Sequence, residues 1–262
     1  MAPTPAQSAR RSRPLRAVQA TIGIAILLAT LFTALPSRGL VSGDFYERLS
    51  LVLTPRAGEN MPLSTAQPQI RIGIVAGHSG NDSGAVCVDG NGNVTLTEAD
   101  VNLEIAALVQ QQLTQEGFQV DLLREFDSRL NGYRALAIIS IHNDSCEYVN
   151  DQATGFKVAA ALNTHDLNRA NRLTACLVDR YQRMTEMNFH AGSITGDMRE
   201  YHAFHEIDPT TVAAIIETGF LNLDREILTR RTELVAGGIV EGILCFANNE
   251  NIEQTVIPNL TP

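Results

Sequence analysis

The chain has 262 residues, 44% of them hydrophobic, with 20 basic against 29 acidic residues and a net charge of −9. That length holds one sizeable domain with appendages, and the apolar share suffices for an ordinary core. Five arginines (Arg10, Arg11, Arg13, Arg16 and Arg38) precede the first acidic residue, Asp44, which leaves 15 basic against 29 acidic residues for the rest. This balance excludes the clustered positive charge that nucleic acid requires of a partner.

Residues 1–16 read as a basic tail. Between Arg16 and Arg38 lie 21 uncharged residues, including the run Ile22 to Phe32, and about 20 apolar residues cross a bilayer as a helix. Residues 17–37 therefore predict a signal-anchor that keeps the preceding arginines in the cytoplasm and sends the rest of the chain outward, a single pass in the cell membrane. A cleaved signal peptide would instead release a secreted domain, but Ala34-Leu35-Pro36-Ser37 is a poor small-x-small exit. Residues 38–68 read as a linker or stalk, because Pro55, Gly58, Pro62 and Pro68 deny it a long regular element.

Residues 69–250 carry the globular pattern, with 251–262 as a C-terminal tail. Arg71 to Ala76 reads as a buried strand that breaks at Gly77 and leads into His78. Thr97 suits an N-cap, Glu98 and Asp100 suit the positive helix start, and an apolar stripe from Val101 runs on to Gly117. Phe118–Leu123 and Leu136–Ile141 read as strands, the second ending at His142. Gly155–Leu162 is a further strand and Asp166 to about Met187 a long helix. Thr211–Ile216 is a strand ending at Glu217, and a last helix runs from Asp224 to Ala247. Strands alternating with helices predict an α/β fold, a single domain with a mostly parallel central sheet flanked by helices and preceded by the N-terminal transmembrane helix.

Three strands thus end in His78, His142 and Glu217, and one helix starts with Glu98. In open α/β sheets ligands bind at that edge. Two imidazoles and one carboxylate are a usual protein ligand set for a hydrolytic zinc, and a carboxylate beside an apolar strand suits general acid/base work. Plainer roles exist for each residue. A loop histidine can simply bond backbone, Glu98 can serve the helix dipole, and Glu217 can pair with Arg124 or Arg225.

Val75-Ala76-Gly77-His78-Ser79-Gly80, Leu96-Thr97-Glu98 with Asn102 and Leu103, Ser140-Ile141-His142-Asn143, and Ile216-Glu217-Thr218-Gly219-Phe220 resemble the motifs of the type 3 zinc N-acetylmuramoyl-L-alanine amidases, in family order and over about Gln69 to Ala247. The resemblance implies a bacterial cell-wall hydrolase in which His78, Glu98 and His142 hold Zn2+ and Glu217 is the catalytic acid/base. The reaction implied is hydrolysis of the amide between N-acetylmuramic acid and L-alanine in peptidoglycan or a muropeptide, with zinc activating the water. The chain departs from the family pattern at Val75-Ala76 and Ser79, at Asn143, in the short segment after Arg124, and at Leu223. The same ligand set would serve a zinc carboxypeptidase-like enzyme on short wall peptides, and a non-catalytic peptidoglycan-binding protein is the alternative from another class. Oligomeric state has no signature in the sequence.

Cys87 follows His78 on its loop and Cys146 follows His142, so both approach one sheet edge, and an oxidising exterior predicts a Cys87–Cys146 disulfide. Cys176 and Cys245 fall in helical apolar stripes and read as buried free thiols. His202 and His205 read as loop residues with at most a role at the rim of the groove, His165 and His190 as surface or structural. Lys157, the only lysine, reads as solvent-exposed.

Overall fold

The computed structural model describes residues 69–252. The expected membrane helix at 17–37, the linker at 38–68 and nearly all of the tail at 251–262 lie outside the described residues. Among the described residues no helix is long and apolar enough to cross a membrane.

Seven strands are β1 (Arg71–Ala76), β2 (Val86–Val88), β3 (Val94–Thr97), β4 (Gln119–Arg124), β5 (Ala137–Asp144), β6 (Lys157–Ala160) and β7 (Val212–Phe220). Helices are α1 (Glu98–Gln115), α2 (Leu167–Thr185), α3 (Gly196–Arg199), α4 (His202–Glu206), α5 (Arg225–Arg230) and α6 (Thr232–Ala247). Five strands form one sheet in the order β4-β1-β5-β7-β6, while β2 and β3 make a separate antiparallel hairpin. Neighbours β4, β1, β5 and β7 run parallel, and only the edge strand β6 is antiparallel.

Alternation along the strands divides the side chains between two layers. Ile72 and Ile74 of β1, Ile139 and Ile141 of β5, and Ala214 and Ile216 of β7 face α1, α2 and α6, where they meet Ile105, Leu173 and Ile239. The opposite face carries Val75, Ile138 and Ile215 against Leu130, Tyr133, Met198 and Phe204. Those partners come from the segment around a 3-10 turn at Ser128–Leu130 and from the short helices α3 and α4. One face is therefore covered by long helices and the other by short pieces. The site lies at the carboxyl edge of the second face.

Several expectations need correction. β5 continues through His142 to Asp144 and β7 through Glu217 to Phe220, so both residues are held within strands and not on loops after them. The last helix is two helices. The Arg231 amide closes α5 on the Ile227 carbonyl, and the Arg231 carbonyl accepts the Leu234 and Val235 amides that open α6. Cys176 and Cys245 are not free thiols but a disulfide joining α2 to α6, with Cα atoms 5.7 Å apart, within bridging range. Lys157 is buried rather than exposed, because β6 turns it onto the sheet face where Asp144 supplies a counter-charge. A buried ammonium needs such a partner.

Candidate metal centre and active site

β1 delivers the chain to Gly77, whose amide still donates to the Ile141 carbonyl of β5 at 3.0 Å. The next residue, His78, turns into the left-handed region with φ of 65°, costly for a residue with a Cβ. Two hydrogen bonds hold it there. Its amide donates to Glu125 Oε2 at 2.6 Å, and its Nδ1 faces Asp82 Oδ1 at 2.6 Å. That leaves Nε2 pointing toward Glu98 Oε1 at 3.4 Å.

Glu98 opens α1, whose N-cap Thr97 accepts the Asp100 amide. Its Oε2 accepts the Ala85 amide at 2.9 Å, and its Oε1 accepts the Asn143 amide at 3.2 Å. Asn102, one turn further along α1, donates to the Gly77 carbonyl at 3.0 Å and accepts from Asn143 Nδ2 at 2.6 Å. Thr218 completes the chain by donating to Asn143 Oδ1 at 2.5 Å. These polar bonds tie β1, α1, β5 and β7 together behind the site.

His142 Nδ1 lies 3.3 Å from the same Glu98 Oε1. One donor atom from each of His78, Glu98 and His142 thus falls within a cluster 4.8 Å across. The donor types and their count match a catalytic zinc, and bonds of about 2.0–2.1 Å in a tetrahedron place ligand atoms roughly 3.3 Å apart. Burial would push the Glu98 carboxyl up, but hydrogen bonds with His142, His78 and the Ala85 amide outweigh it and hold it far below its usual range. Hydrogen bonding to Glu98 pushes His78 up to about 9. Glu98 is thus a carboxylate shared by two imidazoles, and a cation taking that place would displace the proton that Glu98 holds on His78.

Glu217 sits on β7 opposite His142 of β5 and opposite Lys157 of β6. Its Oε2 is sealed from solvent and has no hydrogen-bond partner. Burial pushes its carboxyl up to about 7, against the opposing pull of His142 and Lys157. The plainer alternative for Glu217, an ion pair with Arg124 or Arg225, is not seen among the described residues; Arg225 instead donates to Thr95 Oγ1 at 3.2 Å.

Cys87 of β2 and Cys146, after β5, form a disulfide that fastens the hairpin beside the site. Of the remaining histidines, His202 lies in α4 with Nε2 3.0 Å from Glu125 Oε1 and Nδ1 3.0 Å from Glu206 Oε1. His205 is half-exposed and pairs with Glu200. His190 Nδ1 meets Ser193 Oγ at 2.6 Å.

Sequence reasoning missed Glu125. It is buried, and it reaches His78, His202 and the neighbourhood of His142. Its signal was available, since it directly follows β4 and so lies at the same carboxyl edge as His78. Tyr201 was missed as well; it packs edge-on against the His142 ring at 5.3 Å.

The family model for N-acetylmuramoyl-L-alanine amidase matches residues 72–245. Among solved structures, the chain is similar to the N-acetylmuramoyl-L-alanine amidase AmiC2 of Nostoc punctiforme, with 22% identity, a TM-score of 0.53, and coverage of 68% of this chain and 97% of that one. It is similar to the CwlD amidase of Clostridioides difficile, solved in complex with the GerS lipoprotein, at 21% identity and a TM-score of 0.54 over 70% and 100% of the two chains. The amidase Ami1 of Mycobacterium smegmatis matches at 16% identity and a TM-score of 0.53 over 69% and 98%. No curated protein matches the sequence. These likenesses carry the fold, while the family model spans most of the described residues and runs through His78, Glu98, His142 and Glu217 in order, so the chain belongs to the N-acetylmuramoyl-L-alanine amidase family.

Proposed function

We propose that the protein hydrolyses the amide between the lactyl group of N-acetylmuramic acid and L-alanine in peptidoglycan, with zinc held by His78, Glu98 and His142. The observation that carries this reading is the convergence of those three donors beside Glu217, whose Oε2 has no partner of its own. Bound zinc supplies a Lewis acid that acidifies water and polarises the scissile carbonyl.

The protein's own residues do the rest. Glu98, locked by the Ala85 and Asn143 amides, keeps the two imidazoles turned inward. Glu217 accepts the proton of the attacking water at Oε2 and returns it to the departing L-alanine nitrogen. A carboxyl pushed up to about 7 takes and gives a proton near neutral pH, as general acid/base work requires. The low polarity of the β7 strand around it, with Ile215 and Ile216 buried, maintains that poise.

An extracytoplasmic location belongs to the same proposal. Two disulfides among the described residues support it, because such bonds persist in oxidising compartments. The membrane anchor rests on the sequence of residues 17–37 alone.

The test uses the purified full-length chain and its Glu217→Ala variant, measuring zinc content and the products from muropeptides. Stoichiometric zinc in both, with a new L-alanine amine only from the parent, is the expected result. Release of a terminal amino acid would mark a peptidase instead, and a parent that binds no zinc would overturn the metal assignment.

A further inference from the structure

A zinc-binding histidine is normally fixed through its second ring nitrogen, which donates to a carboxylate, carbonyl or water. His78 follows this pattern. Its Nε2 faces Glu98, and its Nδ1 meets Asp82 Oδ1. For His142 the corresponding atom is Nε2, since Nδ1 faces Glu98. That Nε2 is buried and has no hydrogen-bond partner. The acidic oxygen closest to it in the ion-pair geometry is Glu125 Oε2, 3.8 Å away.

Glu125 is placed for more than one task. The same Oε2 accepts the His78 amide at 2.6 Å, the bond that holds the left-handed turn. Its other oxygen, Oε1, meets His202 Nε2 at 3.0 Å, and His202 Nδ1 meets Glu206 Oε1 at 3.0 Å. Phe126 stacks on the His202 ring with centroids 4.2 Å apart, fixing it from the outer side. The result is a chain of side chains, His142, Glu125, His202 and Glu206, leading from the sheet edge to the surface of α4. Its members come from β5, the end of β4, and α4, so no single element accounts for it.

We infer that Glu125 is a positioning residue for the metal centre, orienting His142 through Nε2–H and His78 through its backbone amide, and that His202 holds Glu125 in place. This rests on the proposed zinc site but adds residues that the ligand set does not contain. A structural role alone would be served by any acceptor for the His78 amide. The inferred role needs an acceptor facing His142 as well.

The experiment measures zinc affinity of the metal-free full-length chain by competition with a chelator, for the parent and for Glu125→Ala, Glu125→Gln and His202→Ala. Glu125→Ala should bind zinc 10- to 100-fold more weakly, the range found for such outer carboxylates. Glu125→Gln keeps an acceptor for the His78 amide but offers His142 a weaker one, so its loss should be smaller, and it covers the case in which the alanine variant does not fold. His202→Ala should weaken zinc severalfold. In zinc-loaded parent, nitrogen-15 NMR should show a His142 Nε2–H proton protected from exchange, and Glu125→Gln should speed that exchange. Where muropeptide cleavage is measured, the variants should lose kcat with KM nearly unchanged. Arg134→Ala, which removes an exposed ion pair with Asp208, serves as the control and should leave zinc affinity alone. Parental zinc affinity in both Glu125 variants would overturn the inference while leaving the zinc site standing. Absence of zinc from the parent would instead overturn the site itself.

Discussion

Gly77 packs against the edge of the His142 ring so closely that a Cβ there would lie 2.3 Å from Cε1 and 2.4 Å from Nε2. Gly84 is under the same pressure from the other side. Its φ is +58°, and a Cβ would meet Glu98 Oε2 at 2.5 Å and His78 Cδ2 at 2.8 Å. Two glycines therefore wall the site, and neither position tolerates a methyl group without moving His142, Glu98 or His78. Gly77→Ala should displace the His142 ring, lower zinc affinity at least tenfold, and cost about 1–3 kcal/mol as an overpacked site does. Chelator competition and urea unfolding measure the two effects separately. Unchanged zinc affinity would mean that backbone movement, not the ring, absorbs the methyl.

At the scale of elements, the turn after β4 carries Glu125 and so controls the site from outside it. Asp127 fixes that turn. It caps the 3-10 segment Ser128–Leu130 by accepting the Arg129 amide at 3.0 Å, and it pairs with the Arg129 guanidinium at 2.7 Å. The hydrogen bond to Arg129 holds its carboxyl down to about 2, against about 3.9 in an unfolded chain. A depressed carboxyl stabilises the fold above its unfolded value, and the contribution is lost as pH falls through the folded one. Asp127→Asn should therefore cost about 1 kcal/mol at neutral pH, discounted for the exposed guanidinium, and almost nothing below about pH 2. Urea midpoints of parent and variant at the two pH values test this; an equal gap at both would assign the effect to shape rather than charge.

The elements also show what a sequence can and cannot disclose. The convergence of His78, Glu98, His142 and Glu217 on one edge was legible because each stands beside a short motif at the end of an apolar run, and parallel strands bring such ends together. Glu125 carries no such motif; its meaning lies in an amide 47 residues away. Cys176 and Cys245 were misread because a half-cystine inside a helical stripe looks like any small apolar residue. Their pairing depends on how α2 lies on α6, which local pattern does not encode. The ends of β5 and β7 were placed too early, at Ile141 and Ile216 instead of Asp144 and Phe220, since polar residues inside a strand look like its end when the buried network that accommodates them is unseen.

For the molecule as a whole, the two disulfides divide the labour. Cys87–Cys146 ties the hairpin to the loop after β5, and Cys176–Cys245 ties the two long helices α2 and α6 together. Reading the architecture from the order of strands and helices worked because a βα alternation leaves few arrangements. The uneven cover of the sheet was not legible, because short helices such as α3 and α4 leave no periodic trace.

The lone lysine of the chain gives this architecture a practical use. Lys157 is buried against Asp144, with Phe220 beneath its ammonium at 5.4 Å, so the native protein presents no lysine amine to solvent. An amine-acylating reagent should then leave Lys157 of the folded chain unmodified, and should add one acyl group there once the sheet comes apart. Mass spectrometry after brief labelling along a urea series would count folded and unfolded molecules by that one mass increment. Acylation of Lys157 without denaturant at the rate of free lysine would show that the β6 edge opens on its own. A residue that burial removed from surface chemistry thereby becomes a built-in tag for the unfolded state.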